Sequence, residues 1–103
     1  NILFRKTLLR KSASKPKDVW NVLLSWLFTQ QKDYGKAFTQ EKALYQRNPT
    51  DLSAFFSLGK IAFENKNYDS ANECFDFITQ KSTLNEEKIE AYLYISKIYI
   101  YNI

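Results

Sequence analysis

The chain has 103 residues, 45% of them apolar, with two Gly, two Pro and a net charge of +4. That is enough for one core, too apolar for a disordered tail, and too poor in helix breakers for a fold of short strands and turns. There is no histidine and one cysteine, which removes imidazole chemistry, an internal disulfide and any cysteine-based metal cluster.

The basic charge is local. Arg5, Lys6, Arg10, Lys11, Lys15 and Lys17 stand among the first 17 positions without an acid. The remainder is slightly acidic, so the overall pI describes one end only. No apolar run approaches the roughly 18 residues that cross a bilayer, and the basic start has no long apolar core or small-residue cleavage site of a signal peptide. The chain contains no Met and begins at Asn1; it is expected to be a piece of a longer protein.

Residues 2–12 carry Phe4, Leu8 and Leu9 at helical spacing beside the basic residues. They read as a short amphipathic helix, with a basic membrane-surface helix as the competing reading. A break follows, and Pro16 suits the first position of a helix over 16–31, with Ser14 or Lys15 before it and Asp18 in its first turn. Trp20, Leu24, Leu27 and Phe28 form its apolar stripe. Lys32-Asp33 is the turn. A second helix spans 34–47 and packs through Tyr34, Ala37, Phe38 and Leu44. Asn48-Pro49 ends it. The next helix opens near Pro49, with Asn48 or Thr50 as cap, and runs to Asn65. Another spans 68–81. The last spans 86–101, capped by Asn85 or by a Thr83–Glu86 box, with Ile89, Tyr92, Ile95 and Tyr99 as its pattern.

These helices repeat. Tyr34, Ala37 and Leu44 recur 34 positions later as Tyr68, Ala71 and Ile78, and Leu24-Ser25 recurs as Leu58-Gly59. Ile95-Ser96 follows at an offset of 37, which a longer loop explains. The small residue at Ser25, Gly59 and Ser96 is expected to let the paired helix approach closely, as are Ala37 and Ala71 from the other side. The first unit departs at Asn21 and Glu41, where the second has Phe55 and Phe75; Trp20 and Phe38 are expected to compensate.

Phe55, Leu58-Gly59, Ala62, Ala71 and Phe75, with their copies, resemble the tetratricopeptide repeat family, whose period is 34. The resemblance covers most of the chain. It implies an all-α fold of antiparallel helix pairs stacked as a short right-handed superhelix. Residues 1–15 would end a preceding repeat, 16–49 and 50–83 would be two full repeats, and 84–103 the first helix of a third. An ordinary helical bundle is the alternative arrangement.

In this family the first helix of each pair lines the concave side. The resemblance therefore implies a binding face through Val22, Trp26, Phe56, Lys60, Phe63 and Lys97, set among Val19, Thr29, Ser53, Glu90, Leu93 and Ile100. Its partner would be a protein or peptide, with no cofactor and no metal. Some family members clamp a terminal carboxylate there, but Val22, Trp26 and Phe56 replace polar clamp residues, so no such clamp is expected. The alternative is a structural spacer or oligomerisation segment without a ligand of its own. Nucleic acid and membrane are not expected partners, and the oligomeric state is left open. No enzyme is expected: Cys74 has no imidazole to activate it, and neither Gly35 nor Gly59 belongs to a phosphate-binding loop. The first unit resembles those of long bacterial repeat proteins, many of them in the cell envelope, which places the chain there ahead of the cytoplasm.

Overall fold

The computed structural model describes residues 15–102; the helix expected over 2–12 lies outside the described residues. Five helices follow in order: α1 (Pro16–Gln30), α2 (Tyr34–Arg47), α3 (Leu52–Glu64), α4 (Tyr68–Lys81) and α5 (Asn85–Tyr101). Each packs mainly on its neighbour in the chain. The result is an all-α domain of helices stacked in sequential contact, a helical-repeat-like arrangement.

The turns α1–α2 and α3–α4 are the same at the backbone. Lys32 and Lys66 both take left-handed dihedrals, φ 60° and 63°. In each turn two backbone bonds close the preceding helix: Lys32 N–H donates to Thr29 O (3.0 Å) and Asp33 N–H to Phe28 O (2.8 Å), matched by Lys66 to Phe63 (3.0 Å) and Asn67 to Ala62 (2.8 Å). This is a Schellman closure, which satisfies carbonyls the helix end would orphan. Lysine, not glycine, accepts the left-handed geometry at both sites, at a cost of about 1 kcal/mol.

Helix starts depart from expectation in two places. Asp51, not Asn48 or Thr50, caps α3: its Oδ1 accepts from Ser53 N–H (3.0 Å) and Ser53 O–H (2.7 Å). Asn48 is occupied closing α2, where its side-chain amide donates to Leu44 O (3.0 Å). At α5 neither Asn85 nor Thr83 caps. No side chain caps the first turn; buried Ser82 braces the approach to it, its Oγ accepting from Leu84 N–H (3.1 Å) and donating to Glu87 Oε1 (2.8 Å).

The core sits on α3, α4 and α5. Phe75 is its largest wholly buried side chain, with Phe56, Ala62, Ala71, Ile78, Ala91 and Ile98 around it. The small residue on α3 has the expected purpose. A Cβ added to Gly59 would stand 3.0 Å from both Cys74 Cβ and Phe75 Cζ, so α4 lies closer than a larger residue permits.

The expected stripes on α1 and α5 are corrected in part: Leu24 and Phe28 are half-buried and Ile95 packs against the core, but the other members are exposed. In α1 the buried residues are Asp18, Val22 and Ser25, while Trp20 is 67% exposed and Leu27 47%. Trp20 therefore compensates for nothing in the first unit, and Phe38 packs against the core of the second. A polar seam also joins α1 to α2, beside the buried Val22, Ala37 and Leu44. Arg47 Nε lies 2.9 Å from buried Asp18 Oδ1, Arg47 Nη2 donates to Asn21 Oδ1, and Asn21 Nδ2 donates to Gln40 Oε1 (2.8 Å). In α5 the buried pair is Ala91 and Ile98, whereas Ile89, Tyr92 and Tyr99 face outward.

Candidate protein-binding surface

Phe56, Lys60 and Phe63 fall at i, i+4 and i+7 on α3, so they share one helix face. Leu93, Lys97 and Ile100 repeat that apolar, cationic, apolar order on α5, 37 positions on. Lys60 joins the two helices. Its Nζ lies 3.2 Å from Glu90 Oε1 and 4.5 Å from the centre of the Phe56 ring. Lys97 Nζ stands 5.0 Å over the Tyr94 ring. Tyr94 in turn stacks on Phe75 at 4.5 Å and meets Phe63 edge-on at 5.4 Å. Burial, then the carboxylates of Glu90 and Glu64, raises the Tyr94 hydroxyl above its ordinary range, so it stays neutral beside Lys97.

The six residues predicted from sequence do not form one open groove. Val22 is wholly buried and Phe56 is 7% exposed, sitting edge-on to Phe75 at 5.6 Å. Both belong to the packing of the domain and not to an open binding face. The reason is that Phe75 reaches past Gly59 to Phe56. Phe63 is half-buried among Tyr68, Tyr94 and Tyr101. Trp26 is half-buried on α1. Lys60 and Lys97 reach solvent. The structure thus gathers Phe56, Lys60, Phe63 and Lys97 around α3 and α5, and leaves Val22 and Trp26 on α1, which packs mainly on α2.

A recess of about 240 Å³ lies between α3 and α5, lined by Ser53, Phe56, Ser57, Lys60, Glu87 and Glu90. Drug-sized ligands occupy roughly 300–1,000 Å³, so this recess suits one side chain of a larger partner. Beside it the outer side of α5 is the most apolar exposed surface of the described residues. Leu93 is 57% and Ile100 67% exposed, with Ile89, Tyr92, Tyr99 and Tyr101 also in solvent.

Sequence reasoning missed a second groove of about 380 Å³, between α2 and α4 with α3 as its floor. Phe38 and Tyr45, seven apart on α2, line one wall and Phe77 the other. Tyr45 meets Phe55 edge-on at 4.4 Å and Phe55 stacks on Phe77 at 4.7 Å. The spacing of Phe38 and Tyr45 was the available signal.

Cys74 borders that groove but is buried. Burial, and secondarily Glu73, pushes its thiol up to about 12. At pH 8 the folded chain should therefore react with a thiol reagent far more slowly than the urea-unfolded chain, where the thiol has its ordinary value of about 8.5. Stability follows the same sign. The unfolded chain loses this proton first, so the contribution is present below about pH 9 and falls as pH rises toward 12. Equal labelling rates for folded and unfolded chain would contradict the burial of this thiol.

Among the described residues no helix is long and apolar enough to cross a membrane, and no group of three acidic or cysteine side chains could hold a metal ion. The chain was compared with family models, curated proteins and solved structures, and none matches.

Proposed function

We propose that the chain is a non-enzymatic protein-binding scaffold of the tetratricopeptide kind, in which the first helices of successive pairs present the binding surface. The observation that carries this reading is the repeated apolar–Lys–apolar order on α3 and α5, with Leu93, Lys97 and Ile100 exposed on α5. Contiguous apolar surface rimmed by charge is a usual mark of a protein interface. Lys97 stands at its edge, where it favours a partner carrying acidic residues, while Lys60 is paired with Glu90. The buried members, Val22 and Phe56, serve it by holding the helices in place. The right-handed stacking and the division into two full repeats and part of a third belong to this reading, as does a cell-envelope setting.

Affinity capture from native extract tests it, using the chain beside a Leu93→Lys/Ile100→Lys variant. Both residues are exposed, so helicity should not change. A partner held by the first should be lost from the second, each truncated anchor weakening binding by about 2 kcal/mol, or roughly thirtyfold. Equal capture by both would overturn the assignment. The spacer reading would then take its place, and the exposed Ile89, Tyr92 and Tyr99 beside this face are the observation that favours it.

A further inference from the structure

We infer that the groove between α2 and α4 is a second protein-binding site, which takes a short basic helix carrying two apolar side chains about one turn apart. It lies on other residues than the surface proposed above and does not depend on that reading.

The groove is built entirely from consecutive helices of the domain. Phe38 and Tyr45 of α2 form one wall, Phe77 of α4 the other, and Phe55 and Leu58 of α3 the floor. α2 and α4 are both second helices of their pairs, so a further pair stacked on either end of the chain would not cover it. The rings hold one another in place: Tyr45 meets Phe55 edge-on at 4.4 Å, and Phe55 stacks on Phe77 at 4.7 Å. All three, with Phe38, stay half-buried. Aromatic surface held rigid in this way gives a partner's anchors a large contact area.

Charge selects the occupant. From Asp69 to Phe77 of α4 the charged residues are Asp69, Glu73 and Asp76, all exposed. Their spacings of four and three put them on one arc along the groove's edge. From Phe38 to Gln46 of α2 the one exposed charge is Lys42. Glu73 and Lys42 both line the groove, and neither has an ion-pair partner among the described residues. Three carboxylates against one ammonium make this site acidic on a chain that is basic as a whole, and they steer a cationic partner to it.

The walls also choose the partner's conformation. Helix backbones are already hydrogen-bonded along their length, so they offer no edge to an extended peptide, whereas a helix brings its own backbone satisfied. Phe38 to Tyr45 on one wall, and Ser70 to Phe77 on the other, are each seven residues apart in sequence, about 10 Å along a helix axis. Two anchors four places apart need about 6 Å.

The test titrates the isotopically labelled 103-residue chain with a blocked, lysine-rich helical peptide bearing a leucine and a tryptophan four places apart, following backbone amides by NMR. The same peptide with glutamate for every lysine is the comparison. The basic peptide should give saturable shifts confined to residues 38–46, 55–58 and 70–77. The acidic one should bind at least about tenfold more weakly, the ratio that about 1.4 kcal/mol gives. Glu73→Lys should weaken the basic peptide by a similar factor. Ser70→Trp, at an exposed lining position, fills the groove and leaves every charge in place; it should abolish the shifts with helicity unchanged. Leu93→Lys/Ile100→Lys should bind the peptide as the parent does. No saturable shift, or equal binding of the two peptides, would overturn the inference. So would binding that survives Ser70→Trp, since attraction to the acidic edge alone would then account for it. Shifts on residues 89–100 that vanish in Leu93→Lys/Ile100→Lys would also overturn it, and would assign the peptide to the surface on α5.

Discussion

Phe75→Ala should cost about 3–5 kcal/mol, a large share of the 5–15 kcal/mol that holds a domain of this size together. Phe75 is wholly buried and ties its own helix to two others. It belongs to α4, lies under Gly59 of α3 with its ring 3.0 Å from where a Cβ would stand, and stacks on Tyr94 of α5 with rings 8° apart. It also meets Phe56 edge-on. Each ring pair adds about 0.5–1.5 kcal/mol beyond buried area, and truncation leaves a hole among three helices whose surroundings relax only partly. Phe75→Leu, which keeps most of the volume, should cost less than half as much. Urea unfolding followed by far-UV circular dichroism measures both. A midpoint unchanged in Phe75→Ala would mean that α3, α4 and α5 do not share a core through this ring.

The second helices were legible in the sequence almost to the residue. Tyr34–Arg47 and Tyr68–Lys81 are flanked by turn residues, and their apolar positions, Ala37 and Leu44 or Ala71 and Ile78, pick out a single arc. The extents of α1 and α5 were legible too, but the facing of the first helices was not. In α1 the run VWNVLLSWLF is apolar at nearly every position, so period alone selects no face. The face is chosen by a partner 29 residues away, Arg47, which draws Asp18 inward and turns Trp20 out. α5 is ambiguous for the same reason. At the candidate surface the two lysines were readable from the offset of 37. The burial of Phe56 was not, since it depends on how far Phe75 reaches once Gly59 has let α4 in. The groove under Phe38, Tyr45 and Phe77 combines residues of separate helices, and no local pattern joins them.

Arg47→Ala should cost about 2–3 kcal/mol. Asp18 is 2% exposed, and Arg47 Nε, 2.9 Å away, answers its charge. Removing one partner of a buried pair typically costs about 3–5 kcal/mol, because the other keeps its desolvation penalty. Here the figure is lowered because the Arg47 side chain is 40% exposed and water reaches its end of the pair. The second unit shows what the alternative looks like. Leu52 and Lys81 hold the positions of Asp18 and Arg47, and Leu52 packs against the apolar core. Asp18→Leu should therefore rescue Arg47→Ala, bringing the double variant to within about 1 kcal/mol of the parent, as apolar replacements of buried ion pairs commonly do. Urea midpoints of the two single variants and the double variant decide it. If Asp18→Leu gives no rescue, the loss comes from the packing of the Arg47 stem across Asn21 and not from a stranded charge. If rescue is complete, the first pair is joined by an ion pair that an apolar contact can replace, and its polar seam sets the facing of α1 without adding net stability.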